Sequence, residues 1–261
     1  MSGLMHFLGK WLARYLEKPS HAHSAAAATP ISQLQQCLQP ADVLLVEGNT
    51  RISTAIKYLT QSTWSHAALY VGPQPNVKDW PPEHALVEAN TLDGVRSVGL
   101  ENFLGLHSRI CRPYGLSSEE RQQVIDYVVA RIGYQYDLRN LFDLARFLLP
   151  EPPVPSRFRR RMIALGSGDP SRAICSTLIA QAFQSIRYPI LPLVEHLPSM
   201  VADCPGCTEE IYHIRHYSLF TPRDFDVSPY FSVVKPNVAM GFDFHKLRWE
   251  QSQGAGAQQR E

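Results

Sequence analysis

Two stretches of sequence decide the interpretation of this chain: WSHAALYVG, residues 64–72, and AICSTLIA, residues 173–180. The first contains His66 in an apolar run, and the second contains Cys175 at the start of another. A thiolate nucleophile needs a base beside it in space, and the two are often far apart in sequence. Between them, LVEAN (residues 86–90) contains Glu88 in an otherwise apolar strand. We predict Cys175 as nucleophile, His66 as base and Glu88 as the group that orients the imidazole, the minimum set for acyl transfer through a thioester.

Composition and charge narrow the class of protein. The 261 residues include 44% hydrophobic and 19% charged residues, which is ordinary for a soluble globular protein, and the length fits one large domain or a domain with appendages. A net charge of +1 argues against a nucleic-acid partner, which would call for a basic surplus. Five cysteines without a secretory signal predict reduced thiols in the cytoplasm. No apolar run approaches the roughly 18 residues that a membrane span needs.

Hydrophobic periodicity predicts three regions. We expect residues 1–30 to form an amphipathic N-terminal helix and a linker, residues 31–249 to form the catalytic domain, and residues 250–261 to form a disordered tail. The helix, Leu4 to Lys18, has an apolar stripe and a basic side, a pattern typical of helices that lie on anionic membranes. The alternative is a helix that docks on its own domain or on a protein partner.

Local patterns predict the elements of the domain. Strands are expected at Asp42–Glu47, His66–Val71, Ala85–Ala89, Ser108–Arg112 and Glu210–Leu219, and helices at Ser53–Leu59, Leu138–Leu149 and Cys175–Ile186. Ser117 or Ser118 is expected to cap a further helix. Cys175 would lie at a helix N-terminus, where free amides and the helix dipole favour the thiolate and can stabilise an oxyanion.

These motifs together resemble a known family. They are QPADVLLV (residues 39–46), the His66 and Glu88 strands, GYQYD (residues 133–137) and the start of the Cys175 helix, with the histidine before the cysteine. This order is similar to the permuted branch of the NlpC/P60 papain-like superfamily, the YiiX/YebB-like (YaeF-like) cysteine hydrolases. The resemblance implies an α+β, circularly permuted papain-like domain, with an antiparallel sheet or barrel packed against helices. It also implies catalytic roles for Cys175, His66 and Glu88.

Other residues leave alternatives open. Tyr136 either lies near the substrate or packs beneath the Cys175 helix. Trp64 either walls the cleft or packs in the core. Asn90 could orient the imidazole instead of Glu88. Cys204 and Cys207, followed by His213 and His216, have a zinc-like look, but strand alternation would point the two histidines to opposite faces, so we predict no metal site and no cofactor.

The expected function is a cysteine hydrolase or acyltransferase that cleaves an amide or ester bond. Family analogy allows a peptide or a lipid-like substrate, and the amphipathic residues 1–18 favour the lipid. We expect a cytoplasmic protein, with peripheral contact at the inner membrane surface as an option. A non-catalytic module that retains the cleft to bind a ligand is the first alternative. A membrane-recruited scaffold is the second.

Overall fold

The fold is α+β and is built on one antiparallel sheet. The computed structural model describes residue 18 and residues 28–90, 93–135, 174–198 and 208–248. Across these ranges, six strands form a sheet in the order β4-β3-β2-β1-β5-β8, and β6 and β7 form a separate hairpin. The strands are β1 Val43–Val46, β2 His66–Tyr70, β3 His84–Asn90, β4 Gly94–Gly99, β5 Ser108–Pro113, β6 Leu193–Pro198, β7 Thr208–His213 and β8 Phe231–Val234. Within the described ranges β4 and β8 stay at opposite edges, so the sheet is open and does not close into a barrel.

Helices cover this sheet. In the same ranges they are α1 Ile31–Cys37, α2 Arg51–Thr60, α3 Ser118–Val129, α4 Ile174–Ser185, α5 Pro222–Asp226 and α6 Pro236–Ala239. Three short 3-10 turns lie at Leu100–Phe103, Tyr217–Leu219 and Phe244–Lys246. The described helices are all too short or too polar to cross a membrane.

Strand β1 lies in the interior of the sheet, between β2 and β5, and all four of its residues are apolar. Each is fully buried, and alternate side chains enter two different clusters. Val43 and Leu45 join the cluster that contains α4, whereas Leu44 and Val46 join the cluster on the other face. A strand buried on both faces is expected to be apolar throughout rather than alternating.

Helix α4 is held on the sheet by its apolar side chains. Leu178, Ile179 and Phe183 are at most 1% exposed and lie in one cluster with Leu69 of β2 and Val87 of β3. Full burial of each such side chain stabilises the fold by about 1.5–3 kcal/mol. This packing determines where the first turn of α4, and therefore Cys175, lies relative to the sheet.

Helix α3 begins where a capping signal predicts it. Ser117, one of the two expected caps, accepts a hydrogen bond from the Glu120 backbone, and the Glu120 side chain accepts one from the Ser117 backbone. This reciprocal pair is a capping box. Val124 and Val128 of this helix are fully buried.

Several sequence-based expectations differ from the structure. The long strand expected at Glu210–Leu219 is the shorter β7, which ends at His213 and is followed by a 3-10 turn. Strands β4, β6 and β8 were not predicted. The N-terminal helix except Lys18, the linker up to residue 27, the helix at 138–149 and the tail lie outside the described residues, so the predicted domain boundaries stay predictions.

Candidate active site

His66 and Glu88 are brought together by the register of two antiparallel strands. Glu88 of β3 lies opposite Ala68 of β2, two residues from His66, so both side chains occupy the same face. Nε2 of His66 lies 2.6 Å from Oε2 of Glu88. The Phe103 ring is stacked against the imidazole, with 6.2 Å between ring centroids. The base expected from the sequence is therefore held by a buried carboxylate and an aromatic ring.

Cys175 approaches the same imidazole from α4. It is the second residue of this helix and only 4% exposed. Charge and hydrogen-bond interactions with its thiol raise the pKa of His66, which places the two side chains in contact. Because Glu88 occupies Nε2, we infer that Nδ1 is the ring nitrogen that faces the sulfur. The structure thus brings the three residues together, while their catalytic roles stay a prediction.

Helix α4 packs on the face of the sheet opposite to His66. Cys175 belongs to the cluster with Ala67 and Leu69, whereas Ala68, which shares the face of His66, belongs to the other cluster. His66 is the first residue of β2, at the end of this strand, and it interacts with Cys175 through charge and hydrogen bonding. The sheet therefore does not separate the thiol from the imidazole.

The electrostatics favour a charged imidazole. Burial alone would lower the pKa of His66, but the charges and hydrogen bonds of Cys175 and Glu88 outweigh burial and raise this pKa to about 10. Burial would raise the pKa of Glu88, but His66 and Arg96 lower it to about 2. At neutral pH, Glu88 is thus ionised and His66 is an imidazolium. A buried pair of an imidazolium and a carboxylate therefore lies beside the thiol of Cys175.

Arg96 is a neighbour of the site that sequence reasoning missed. Its Nε and Nη2 lie 2.9 and 2.8 Å from Oε1 of Glu88, on the side of the carboxylate away from His66. Arg96 lies directly opposite Glu88 in the β3–β4 hairpin. The turn signal Asp93-Gly94 was visible in the sequence, and a hairpin centred near it pairs these two positions.

Glu88, rather than Asn90, occupies Nε2 of the imidazole. Asn90 instead accepts a hydrogen bond from the Asp93 backbone at 2.6 Å, and its Nδ2 donates to the Asp93 carboxylate at 3.2 Å. The side chain of Asn90 therefore supports the β3–β4 turn.

Trp64 lies in the core beside the site. It is 3% exposed, and its indole N–H donates to Asp226 at 3.0 Å. The Arg109 guanidinium lies 4.9 Å from the ring centroid, and the His107 ring lies 5.0 Å away. This burial favours a packing role for Trp64. Contact of Trp64 with a substrate stays a prediction. Tyr136 lies outside the described residues.

The histidines of the zinc-like pattern have other partners. His213 lies 2.8 Å from Glu195, and His216 lies 2.6 Å from Ser218. Because β7 ends at His213, the expectation that both histidines share one strand was wrong. Cys204 and Cys207 lie outside the described residues, and in the rest of the described chain three or more potential metal ligands nowhere cluster.

Part of this chain is similar to a known protein family. Residues 37–144 match a family described as permuted papain-like amidase enzymes of the YaeF/YiiX type. A solved structure described as the metalloprotein YiiX from Escherichia coli O157:H7 is 17% identical, and the alignment covers 76% of this chain and 96% of that one, with a TM-score of 0.44. No curated protein matches the chain.

The family match confirms the resemblance and the fold class expected from the sequence. The matched range contains His66 and Glu88 and ends before Cys175. The amidase description supports a cysteine hydrolase activity.

Proposed function

Because residues 37–144 relate this chain to the permuted papain-like amidases of the YaeF/YiiX type, we propose that it cleaves an amide or ester bond through a thioester on Cys175. The observation that carries the proposal is the contact of one imidazole with a thiol on one side and a buried carboxylate on the other. A nucleophile, a base and an orienting group in contact is the arrangement that defines catalytic triads on unrelated folds.

The first half-reaction forms the thioester. The Cys175 thiolate attacks the carbonyl carbon, a C–S bond forms, and the carbonyl electrons move to oxygen as an oxyanion. When the oxyanion collapses, the bond to the leaving amine or alkoxide breaks. His66 donates its proton to that leaving group and becomes neutral.

The second half-reaction releases the acyl group. Neutral His66 takes a proton from water, the resulting hydroxide attacks the thioester, and Cys175 leaves as a thiolate beside a regenerated imidazolium. An alcohol or amine in place of water would give acyl transfer. Glu88 stabilises the imidazolium each time it forms.

The first turn of α4 offers donors for the oxyanion. The first four backbone N–H groups of a helix have no partner within the helix, and the N–H of Cys175 is one of them. Such donors act at the point where negative charge develops, and removing one costs about 3–4 kcal/mol in a studied protease.

We first predict an acyl-enzyme with an activated ester. p-Nitrophenyl acetate should release a burst of nitrophenolate close to one equivalent of enzyme, because acylation of Cys175 by an activated ester outpaces water attack on the thioester. Stopped-flow absorbance and intact-mass measurement of an acetyl adduct, mapped to the Cys175 peptide, test this. If the enzyme releases no burst of nitrophenolate and forms no acetyl adduct, the non-catalytic binding module is favoured.

A lipid-like substrate is the finer part of the proposal. Its support is the sequence of residues 1–18, where Leu8, Trp11 and Leu12 belong to an apolar stripe and Lys10 and Arg14 lie on the other side. Each such cation contributes about 1 kcal/mol near an anionic surface. A peptide substrate remains compatible with the same cleft chemistry.

We therefore predict that the full chain floats with vesicles of phosphatidylglycerol and phosphatidylcholine, whereas a chain starting at Ile31 does not. Salt should weaken the flotation because the headgroup attraction is screened. Neutral phosphatidylcholine vesicles are the control. Equal flotation of both chains would exclude residues 1–30 as the membrane contact and remove the support for a lipid.

A further inference from the structure

We propose that Arg96 is a positioning residue of the candidate site: it grips one oxygen of Glu88 so that the other oxygen stays aimed at Nε2 of His66. This inference rests on the proposed function, since it assigns how the triad is held. It is carried by the geometry around a single carboxylate.

The two oxygens of Glu88 have separate partners. Oε2 lies 2.6 Å from His66, whereas Oε1 receives both Nε and Nη2 of Arg96, at 2.9 and 2.8 Å. The Glu88 side chain is only 6% exposed. With both oxygens occupied, the carboxylate cannot rotate about its terminal bond without breaking a charge-assisted hydrogen bond.

Arg96 is itself held from the other side. Its Nη1 lies 2.5 Å from Oδ2 of Asp93, which is in turn bonded to Asn90 in the same turn. The guanidinium therefore bridges a buried carboxylate and an exposed one. Asp93 is 51% exposed, so solvent screens its contribution, and the contact with Glu88 is the one expected to matter.

The fork geometry distinguishes this role from a simple positive charge. Arginine presents several N–H groups in one rigid plane, whereas lysine is a compact point charge on a flexible stem. Lysine at position 96 could still compensate the charge of Glu88 but could not hold its orientation. Arginine and lysine at this position therefore separate positioning from charge.

The charged groups that face Glu88 also determine how it responds to acid. Within the described residues, His66 of β2 and Arg96 of β4 lower its pKa against the effect of burial, and Cys175 of α4 acts on it through His66. Glu88 in the folded protein stays ionised down to about pH 2, below its ordinary value of 4.5. The contribution of the ionised Glu88 to the free energy of unfolding is thus complete above about pH 4.5 and is lost as the pH falls towards 2. Without Arg96 that loss occurs at higher pH.

The test measures iodoacetamide alkylation of Cys175 by peptide mapping across pH, which needs no substrate. We expect R96Q to label about tenfold more slowly at neutral pH, within the ~100-fold that misplacing a catalytic group by about 1 Å can cost. On the acid side of the pH profile, the alkylation rate of R96Q should begin to fall at a higher pH than the rate of the wild type. R96K should label more slowly than the wild type but keep the wild-type acid-side profile.

R109Q is the matched control, because Arg109 pairs with Asp226 at 2.5 Å and is 36% exposed against 40% for Arg96. It should keep the wild-type rate and profile. Wild-type rates and profiles for R96Q would overturn the inference.

A second readout keeps the positioning role separate from the proposed function. Carbon-13 NMR titration of the Glu88 carboxyl requires no reactive thiol, and this carboxyl should titrate at higher pH in R96Q than in the wild type. An unchanged titration overturns the inference even where Cys175 is inert. Conversely, preferential labelling of Cys175 without any acyl-enzyme would contradict the proposed hydrolase function. The labelling rates of the Arg96 variants would still test the positioning role.

Discussion

Replacing Cys175 with alanine is expected to abolish the acyl-enzyme and to lower the rate of ester hydrolysis by at least about ten thousandfold. The sulfur is the atom that bonds to the substrate in the proposed mechanism, and alanine offers no substitute. Because α4 is held by Leu178, Ile179 and Phe183, the variant should fold normally. Circular dichroism and thermal melting check this.

The same measurement on H66A and on the double variant tests whether the residues act as one unit. Removal of His66 should cost nearly as much as removal of Cys175, and the double variant should be little worse than either single one, since members of a triad are far from additive. Cys37→Ala is the matched control, because Cys37 is a partly buried free thiol on α1 outside the site. If C175A keeps the wild-type burst, another nucleophile carries the reaction and the proposal is wrong.

Changing Glu88 to glutamine should lower kcat by about a hundredfold to ten thousandfold, the upper bound being the cost of the equivalent change in a serine protease. Glutamate accepts hydrogen bonds at both oxygens, from His66 and from Arg96. A glutamine side chain has one accepting oxygen and one donating amide, so it must turn a donor towards one of these two partners. The imidazolium then loses its counter-charge, and its orientation relaxes.

Replacing Glu88 with glutamine should also change the pH dependence of the reaction. The folded-state pKa of His66 is raised, so the stabilising ion pair is complete below about 6.5 and is lost as pH rises through about 10. Glu88 is one cause of that rise, so its neutral replacement should move the alkaline limb of kcat/KM to lower pH.

E195Q is the control for this variant, since it removes the carboxylate of another His–Glu pair, His213 with Glu195, in the separate β6–β7 hairpin. It should leave both the rate and the alkaline limb unchanged. An E88Q enzyme with the wild-type limb would show that Glu88 does not act on the imidazole.

The sequence by itself determined the local elements and the chemical candidates. The alternating or continuous apolar runs around residues 43–46, 66–70 and 84–90 predict strands, and Ser117 or Ser118 predicts a helix start, because both signals depend on neighbouring residues alone. The order of His66, Glu88 and Cys175 pointed to the permuted papain-like family. Strands β4, β6 and β8 were not predicted, because they are short or contain glycine, proline or charged residues.

Only the tertiary structure decided how those candidates meet. The sheet order places β1 between β2 and β5, and the register sets Glu88 opposite Ala68 and Arg96, pairings that depend on distant segments of the chain. The packing of α4 then brings Cys175 to the imidazole across more than a hundred residues of sequence. A one-residue slip in register would turn Glu88 to the opposite face, so the carboxylate's role is a property of the folded sheet.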